Sequence, residues 1–318
     1  MRFFFFGSGE FSRNILEVLV ENEFIPQAVI TRIDRPGGRG RRLRPTPVKL
    51  FAKESGIAVI QPHSISEDTF LDTLKAAQPE VILLADYGEL LPPALLQLPP
   101  GGCVNVHPSL LPRYRGASPV QRALMDGEDI TGVTLMLMER GLDIGPIIYQ
   151  QKMEIGEEED AGSLASKLAV LGGRLLVSRL PAYLSGEITP HPQDENEASY
   201  AEPINKRELL IDWSGKARTV FNQVRALSPS PGAYTYFRGK RLKVLRAMPT
   251  AGGGKSPPGT IVVQGKFHLL VKAGEGALRL ETLQPEGKKV MSSDEFLRGY
   301  HLELGECFEA TSQEGSVT

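Results

Sequence analysis

The strongest constraint on this chain is an alternation, along its first 188 residues, between short apolar runs and amphipathic stretches at helical spacing. Arg2–Phe6 reads as a strand, and Ser12 as the N-cap of a helix carrying Ile15, Leu16, Leu19 and Val20 on one face. Ala28–Thr31 is a second strand. Thr46-Pro47 then offers a capping hydroxyl followed by proline at the first helical position. Ile57–Ile60, Val81–Ala85, Cys103–Val106, Val133–Met138 and Ile147–Gln150 read as further strands, with helices over 67–77, from Ser118-Pro119 to Gly127, and over 163–184. This order predicts an α/β fold: a Rossmann-like, doubly wound, mostly parallel sheet covered on both faces. Such sheets bind ligands beyond the carboxyl ends of their strands. Residues that end strands are therefore the first candidates for chemistry.

The pattern changes after residue 188. Residues 189–206 are polar and proline-rich, which predicts a linker. A helix follows around 214–227, then short strand-like runs at 241–246, 260–263, 267–272 and 277–283 separated by glycines. That spacing predicts a smaller C-terminal β-barrel of OB-like type over 207–310. Residues 311–318 read as a disordered tail.

Composition narrows the class. With 41% hydrophobic and 23% charged residues, the chain is globular rather than disordered. No apolar run reaches the ~18 residues of a membrane span. The start, Met-Arg-Phe-Phe-Phe-Phe-Gly, is too soon broken for a signal peptide. Cys103 and Cys307 lie far apart and outside any CxxC pair, so neither a disulfide framework nor a thiolate metal site is expected. The reducing cytoplasm is the expected compartment. Residues 1–204 hold 19 Lys/Arg and 27 Asp/Glu, a balance of −8, whereas residues 205–318 balance at +6. A basic second half suits either a polyanionic partner or a plain solvated face.

Two glycine-rich stretches resemble nucleotide motifs and fail on inspection. Gly7-Ser8-Gly9-Glu10-Phe11-Ser12 lacks the third glycine of a dinucleotide turn and puts an acid where pyrophosphate would sit. Gly254-Lys255-Ser256 is followed by Pro257-Pro258, which forbids the helix that a phosphate loop requires.

The informative stretch is Asn105-Val106-His107-Pro108-Ser109-Leu110-Leu111-Pro112-Arg113-Tyr114-Arg115-Gly116. Asn105 and His107 are two apart at a strand end, so their side chains leave the same face. A carboxamide and an imidazole suit a reaction in which a carbonyl oxygen becomes negative, because both can donate to it. Histidine can also handle the proton of an attacking amine. Asp143, in the glycine-flanked turn Gly141-Leu142-Asp143-Ile144-Gly145, could reach His107 from a parallel neighbouring strand end. Each residue alone has a structural explanation: a turn cap, a satisfied loop histidine, an Asx-turn.

Together, Asn-x-His-x-Ser-Leu-Leu-Pro-Arg-x-Arg-Gly-Ala, Thr131-Gly132-Val133-Thr134 and Gly141-Leu142-Asp143-x-Gly145 resemble the 10-formyltetrahydrofolate-dependent formyltransferases. The resemblance extends over nearly the whole chain. Asp34 to Leu43 with Pro47-Val48-Lys49, and later Lys206, Ile211-Asp212-Trp213, Arg225-Ala226 and Gln284-Pro285-Glu286-Gly287-Lys288-Lys289, are similar to the branch whose acceptor is initiator methionyl-tRNA. The resemblance implies a formyl transfer serving translation initiation, with 10-formyltetrahydrofolate as donor cosubstrate and no metal. It implies that Asn105, His107 and Asp143 are catalytic. It further implies that Ser109, Leu110, Leu111 and Pro112, with Tyr87, Gly88 and Leu90, line the folate site. Arg35, Arg39, Arg41, Arg42 and Lys206 are the implied tRNA contacts, and the enzyme is expected to act as a monomer away from membranes. Asp86 stands where the family more often has a small apolar residue.

Residues 32–44 carry six arginines against one acid, Asp34, with interspersed glycines. Arginine pairs with phosphate bidentately and stacks on bases. A pliant loop of this charge suits RNA, and equally a loop kept soluble by its charge. Two other functions share much of this pattern: formylation of a small amine such as an amino-sugar nucleotide, and RNA binding without turnover.

Overall fold

The computed structural model describes residues 1–37, 42–252, 254–263, 269–303 and 305–309. Two compact units divide the chain. The first holds Met1–Pro119, Ile130–Glu154 and Ala165–Ala201; the second holds Val120–Asp129, Ile155–Leu164 and the chain from Glu202 onward.

The first unit is built on a seven-stranded sheet. Its strands are β1 (Phe3–Gly7), β2 (Ala28–Ile30), β5 (Val59–Ile60), β6 (Val81–Ala85), β7 (Cys103–His107), β9 (Ile130–Leu137) and β10 (Ile147–Glu154). The pairs β3 (Arg35–Gly37) with β4 (Arg42–Arg44), and β8 (Arg115–Gly116) with β11 (Tyr200–Ala201), form separate two-stranded ribbons. The main order is β10-β9-β7-β6-β1-β2-β5. Five neighbouring strands, β7 to β5, run parallel, whereas β9 is antiparallel to β7 and β10 to β9. The mostly parallel sheet is as the alternation indicates. Hydrophobic periodicity carries no strand direction, so the antiparallel edge could not be read from it.

Both faces are covered. Phe4 and Phe6 point into a cluster with Phe70, Leu71 and Leu74 of α3 (Asp68–Ala77) and Leu95 of α4 (Pro93–Leu96). The opposite face meets α1 (Glu10–Glu21) and α6 (Ala161–Leu184). A Cβ at Gly172 would lie 2.5 Å from Val106 Cγ1, and one at Gly173 would lie 2.7 Å from Val18 Cβ. Glycines here let the helix approach the back of β7. Val106 therefore faces α6, and by the alternation of a strand Cys103, Asn105 and His107 share the other face. Cys103 sits within the apolar cluster, where burial pushes its thiol up to about 12.

Helix starts show where local signals held and where they did not. Thr46 caps α2 (Pro47–Glu54) as expected, accepting from Lys49 N at 3.2 Å. Ser12 does not cap α1. The helix begins earlier, with Gly9 as N-cap, and the buried Ser12 hydroxyl donates to Gly9 O at 3.0 Å.

In the second unit, α7 (Ala217–Leu227) packs on an antiparallel sheet of order β12-β13-β16-β15-β14. These strands are Ala233–Phe237, Lys240–Thr250, Ala277–Pro285, Leu269–Lys272 and Ile261–Val263, in that spatial order. The sequence reading has no strand at β12. It forms because Ala233, Thr235 and Phe237 alternate inward, and because Arg238 and Gly239 both adopt positive φ, the geometry of a tight hairpin turn. The last described residues of this unit bridge the sheet's two edges. Glu309 pairs with Tyr236, and Cys307 with Thr260. Phe308 is buried, with its ring 6.0 Å from that of Trp213. The sheet thereby curls into a small barrel. The tail expected at 311–318 lies outside the described residues.

Candidate active site

His107 ends β7 and is 3% exposed. Its Nε2 lies 2.9 Å from the backbone oxygen of Tyr114. A carbonyl only accepts, so Nε2 carries a hydrogen and Nδ1 is left for other work. Nδ1 lies 3.7 Å from Asp143 Oδ2. That is beyond a direct hydrogen bond but well within the range of charge interaction. Asp143 Oδ2 also accepts from Gly116 N at 2.8 Å. Asn105 is half-buried one strand repeat before His107, and among the described residues its carboxamide makes no hydrogen bond within the protein. The strand thus presents a free amide beside an imidazole.

Asp143 does not arrive from a parallel strand end, as the sequence reading expected. The strand beside β7 is the antiparallel β9, and Asp143 lies in the turn that joins β9 to β10. Its backbone is left-handed, at φ 53. Aspartate adopts that conformation more readily than most non-glycine residues, which suits it to this turn.

The loop after His107 is pinned rather than pliant. Thr134, paired with His107 on β9, donates through Oγ1 to Ser109 O at 2.7 Å and accepts from Leu111 N at 3.1 Å and Gln150 Nε2 at 2.9 Å. Ser109 is buried and donates to Arg113 O at 2.7 Å. Leu111 packs inward with Met136 and Ile147. Leu110 lies over Gly132, where a Cβ would fall 2.5 Å from Leu110 Cδ2. Pro112 is half-buried and follows a cis peptide. Of the four residues expected to line a folate site, Leu110 and Pro112 keep exposed surface, while the side chains of Ser109 and Leu111 are committed to the interior.

The other expected lining residues divide similarly. The Tyr87 ring packs edge-on against Phe6 at 5.2 Å, and burial raises its phenol well above the usual range. Gly88 adopts φ +78, close to the Arg32 guanidinium. Leu90 is 80% exposed and lines a concavity of about 270 Å³ with Leu91, Pro93, Met138, Glu139, Arg140 and Gly141. Leu91 belongs to the apolar cluster on the face of β7 that carries Asn105, and Met138 packs against that cluster. The neighbouring Asp86 also has a positive φ, of 44. Although Asp86 keeps exposed surface, desolvation by the surrounding protein raises its carboxyl above the usual carboxylate range, and Arg32 opposes that rise.

The arginine-rich segment has an ordered base. Arg35 pairs with Arg44, Pro36 with Leu43 and Gly37 with Arg42 along the β3–β4 ribbon. Asp34, the segment's only acid, is held by Lys49 at 2.7 Å and Gln61 at 2.8 Å, which lowers its carboxyl below the usual range. Arg35 and Arg44 are exposed. Arg39 and Arg41 lie outside the described residues, as does the side chain of Arg42. Lys206, in the second unit, is exposed at the start of a single 3₁₀ turn.

The structure adds residues that the sequence reading did not single out. Arg115 is 0% exposed, an unusual position for a guanidinium. It is held by Gln193 and Glu195, 78 and 80 residues later, in the stretch expected to be a linker. No local pattern signals such a distant pairing. Among the described residues there is no cluster of three His, Cys, Asp or Glu arranged for a metal, and no helix is long and apolar enough to cross a membrane.

A parallel sheet whose strand-end face carries a carboxamide and an imidazole, with a carboxylate within reach, matches what comparison with known proteins finds. The family model described as formyl transferase matches residues 1–180, and that of the formyl transferase C-terminal domain matches residues 203–301; the chain belongs to this family. Relatives narrow the branch. The methionyl-tRNA formyltransferase of Dictyoglomus turgidum is 45% identical over 313 residues, covering 97% of this chain and 99% of the relative. That of Carboxydothermus hydrogenoformans is 43% identical over 309 residues, covering 97% and 100%. The chain is thus placed in the methionyl-tRNA formyltransferase branch. Solved structures share the fold at low identity. HypX from Aquifex aeolicus in complex with tetrahydrofolic acid superposes with a TM-score of 0.67 at 17% identity, over 96% of this chain and 48% of that one. The methionyl-tRNA formyltransferase from Clostridium thermocellum gives 0.55 at 17% identity, over 87% and 100%.

Proposed function

We propose that this chain transfers the formyl group of 10-formyltetrahydrofolate to the α-amine of methionine on initiator methionyl-tRNA, in the cytoplasm and as a monomer. The observation that carries the reading is the approach of Asp143 to His107 on the strand face that also bears the unengaged Asn105 amide. The amine nitrogen attacks the formyl carbon, and its new bond to carbon forms as the carbonyl electrons move onto oxygen. Asn105 donates to that oxyanion. His107 has its Nε2 hydrogen directed at Tyr114 O, so it works through Nδ1, the nitrogen facing Asp143. Asp143 stabilises the charged imidazole as Nδ1 takes up the amine proton or donates to the oxyanion. Collapse of the intermediate breaks the bond from carbon to N10 of the folate, and the proton passes to that nitrogen as tetrahydrofolate leaves.

On this reading residues 1–188 carry the chemistry and residues 207–310 hold the tRNA. Leu90, Gly88 and the Tyr87 backbone border the folate together with Leu110 and Pro112, while Ser109 and Leu111 contribute through their backbone. Arg35, Arg39, Arg41, Arg42 and Lys206 meet tRNA phosphates. The test is a formylation assay with 10-formyltetrahydrofolate and three acceptors: charged initiator tRNA, charged elongator tRNA and an amino-sugar nucleotide. Turnover with the initiator alone is expected. Turnover with the amino sugar but neither tRNA would replace the reading, and binding of RNA without turnover would end it.

A further inference from the structure

Gln193 occupies a position where only a carboxamide meets every demand. Its Nε2 donates to Asp143 O at 2.8 Å and to Gly145 O at 2.8 Å. Its Oε1 accepts from Arg115 Nε at 3.0 Å and Nη2 at 2.8 Å. Two donors and two lone pairs are all engaged, which exhausts the group's capacity. Arg115 is in turn gripped by Glu195 through both terminal nitrogens, Nη1 to Oε2 at 2.9 Å and Nη2 to Oε1 at 2.7 Å.

The backbone around Arg115 touches both halves of the candidate site. Tyr114 O meets His107 Nε2, and Gly116 N donates to Asp143 Oδ2. This three-residue segment is itself held from residues 199–201. Tyr114 N donates to Ser199 Oγ at 3.0 Å, Arg115 N to Ser199 O at 2.9 Å, and β8 pairs with β11. Gln193 therefore ties the turn carrying Asp143, with its left-handed backbone, to the segment that orients His107.

We propose that Gln193, backed by Arg115, is a positioning residue that fixes Asp143 against His107; this rests on the catalytic reading of Asp143 given above. A glutamate at the same place keeps the acceptors for Arg115 but turns an oxygen toward two carbonyls. Methionine keeps the volume and loses both functions, leaving Arg115 paired with Glu195. Neither change alters Asn105, His107 or Asp143 itself.

The experiment is a double-mutant cycle in formylation kinetics, with thermal melting of each variant. Gln193→Glu and Gln193→Met are expected to lower kcat about 10- to 100-fold, the scale of an ångström-sized misplacement. KM for folate and for tRNA should stay within about threefold. In an Asp143→Ala background, measured under single-turnover conditions, the same changes are expected to cost no more than about twofold, because interacting residues are non-additive. A merely structural role would give multiplying losses in both backgrounds, and that result overturns the proposal. So does near-normal kcat in a folded Gln193→Met protein. Full activity in Asp143→Ala alone would overturn it together with the reading on which it rests. Losses at Gln193 that are additive to a crippled Asp143→Ala would remove Gln193 alone.

Discussion

Replacing Gly145 by alanine should disable the site without unfolding the protein. The new Cβ would fall 1.9 Å from Leu137 O and 3.0 Å from Leu137 C. Both are backbone atoms, so no rotamer change relieves the clash. Leu137 lies in β9, which is hydrogen-bonded on both sides by β7 and β10, so the turn must move instead. Restoring an ordinary contact takes a displacement of roughly 1 Å or more at a residue two positions from Asp143. Asp143 Oδ2 is 3.7 Å from His107 Nδ1 at the outset, and Gln193 holds both ends of the same tripeptide. A misplacement of about 1 Å costs on the order of 100-fold in rate, or about 2.7 kcal/mol of barrier at 1.36 kcal/mol per tenfold. Overpacking adds about 1–3 kcal/mol of destabilisation, within the ~5–15 kcal/mol that a typical protein has. The assay is kcat for formylation at saturating folate and charged initiator tRNA, with melting and far-ultraviolet dichroism to confirm folding. A folded Gly145→Ala protein with kcat within about threefold of the parent would refute the reasoning.

Further outcomes follow from other parts of the molecule. Changing Arg35, Arg41 and Arg42 together to glutamine should raise KM for tRNA and flatten its dependence on salt while leaving KM for folate unaltered, since lost phosphate contacts reduce the salt slope; a measurement of both constants across ionic strength decides it. Phe308→Ala should destabilise the second unit by about 3–5 kcal/mol, the range for a buried phenylalanine. The only tryptophan, Trp213, is buried beside Phe308, so its fluorescence during urea unfolding reports the loss directly. Asp34→Asn should melt below the parent at neutral pH. Because Lys49 and Gln61 lower the Asp34 carboxyl, the parent's advantage is present above the unfolded value of about 3.8 and is lost as pH falls through the lower folded value; paired melting curves from pH 7 down to about pH 3 show whether it closes.

What could be read from the sequence was what is local. The short apolar runs and capped amphipathic stretches place β1, β6 and β7 nearly to the residue, and the i, i+2 spacing puts Asn105 and His107 on one face before any coordinates are known. Strand direction is not local. β9 looks the same in sequence whether it runs with or against β7, so sequence alone does not give the route by which Asp143 reaches His107, even though its glycine-flanked turn stands out. Side-chain direction in a loop is not local either. Ser109 and Leu111 turn inward because Thr134, more than twenty residues away, fastens the backbone between them. Arg115 gave no hint of burial, since its partners Gln193 and Glu195 come from a polar, proline-rich stretch that resembles a tether by composition. The 305–309 segment likewise has no strand in the sequence reading. Its pairing with two distant sheet edges leaves no trace in its own residues.

The central claim is that an amide and an imidazole leaving one strand face share a developing negative oxygen with help from Asp143. Single-turnover formylation of charged initiator tRNA by Asn105→Ala and His107→Ala tests it most directly. Each rate should fall at least about 100-fold, the loss of one oxyanion donor being worth ~2.7–4 kcal/mol, while both proteins melt within a few degrees of the parent. Parental rates in either folded variant would contradict it.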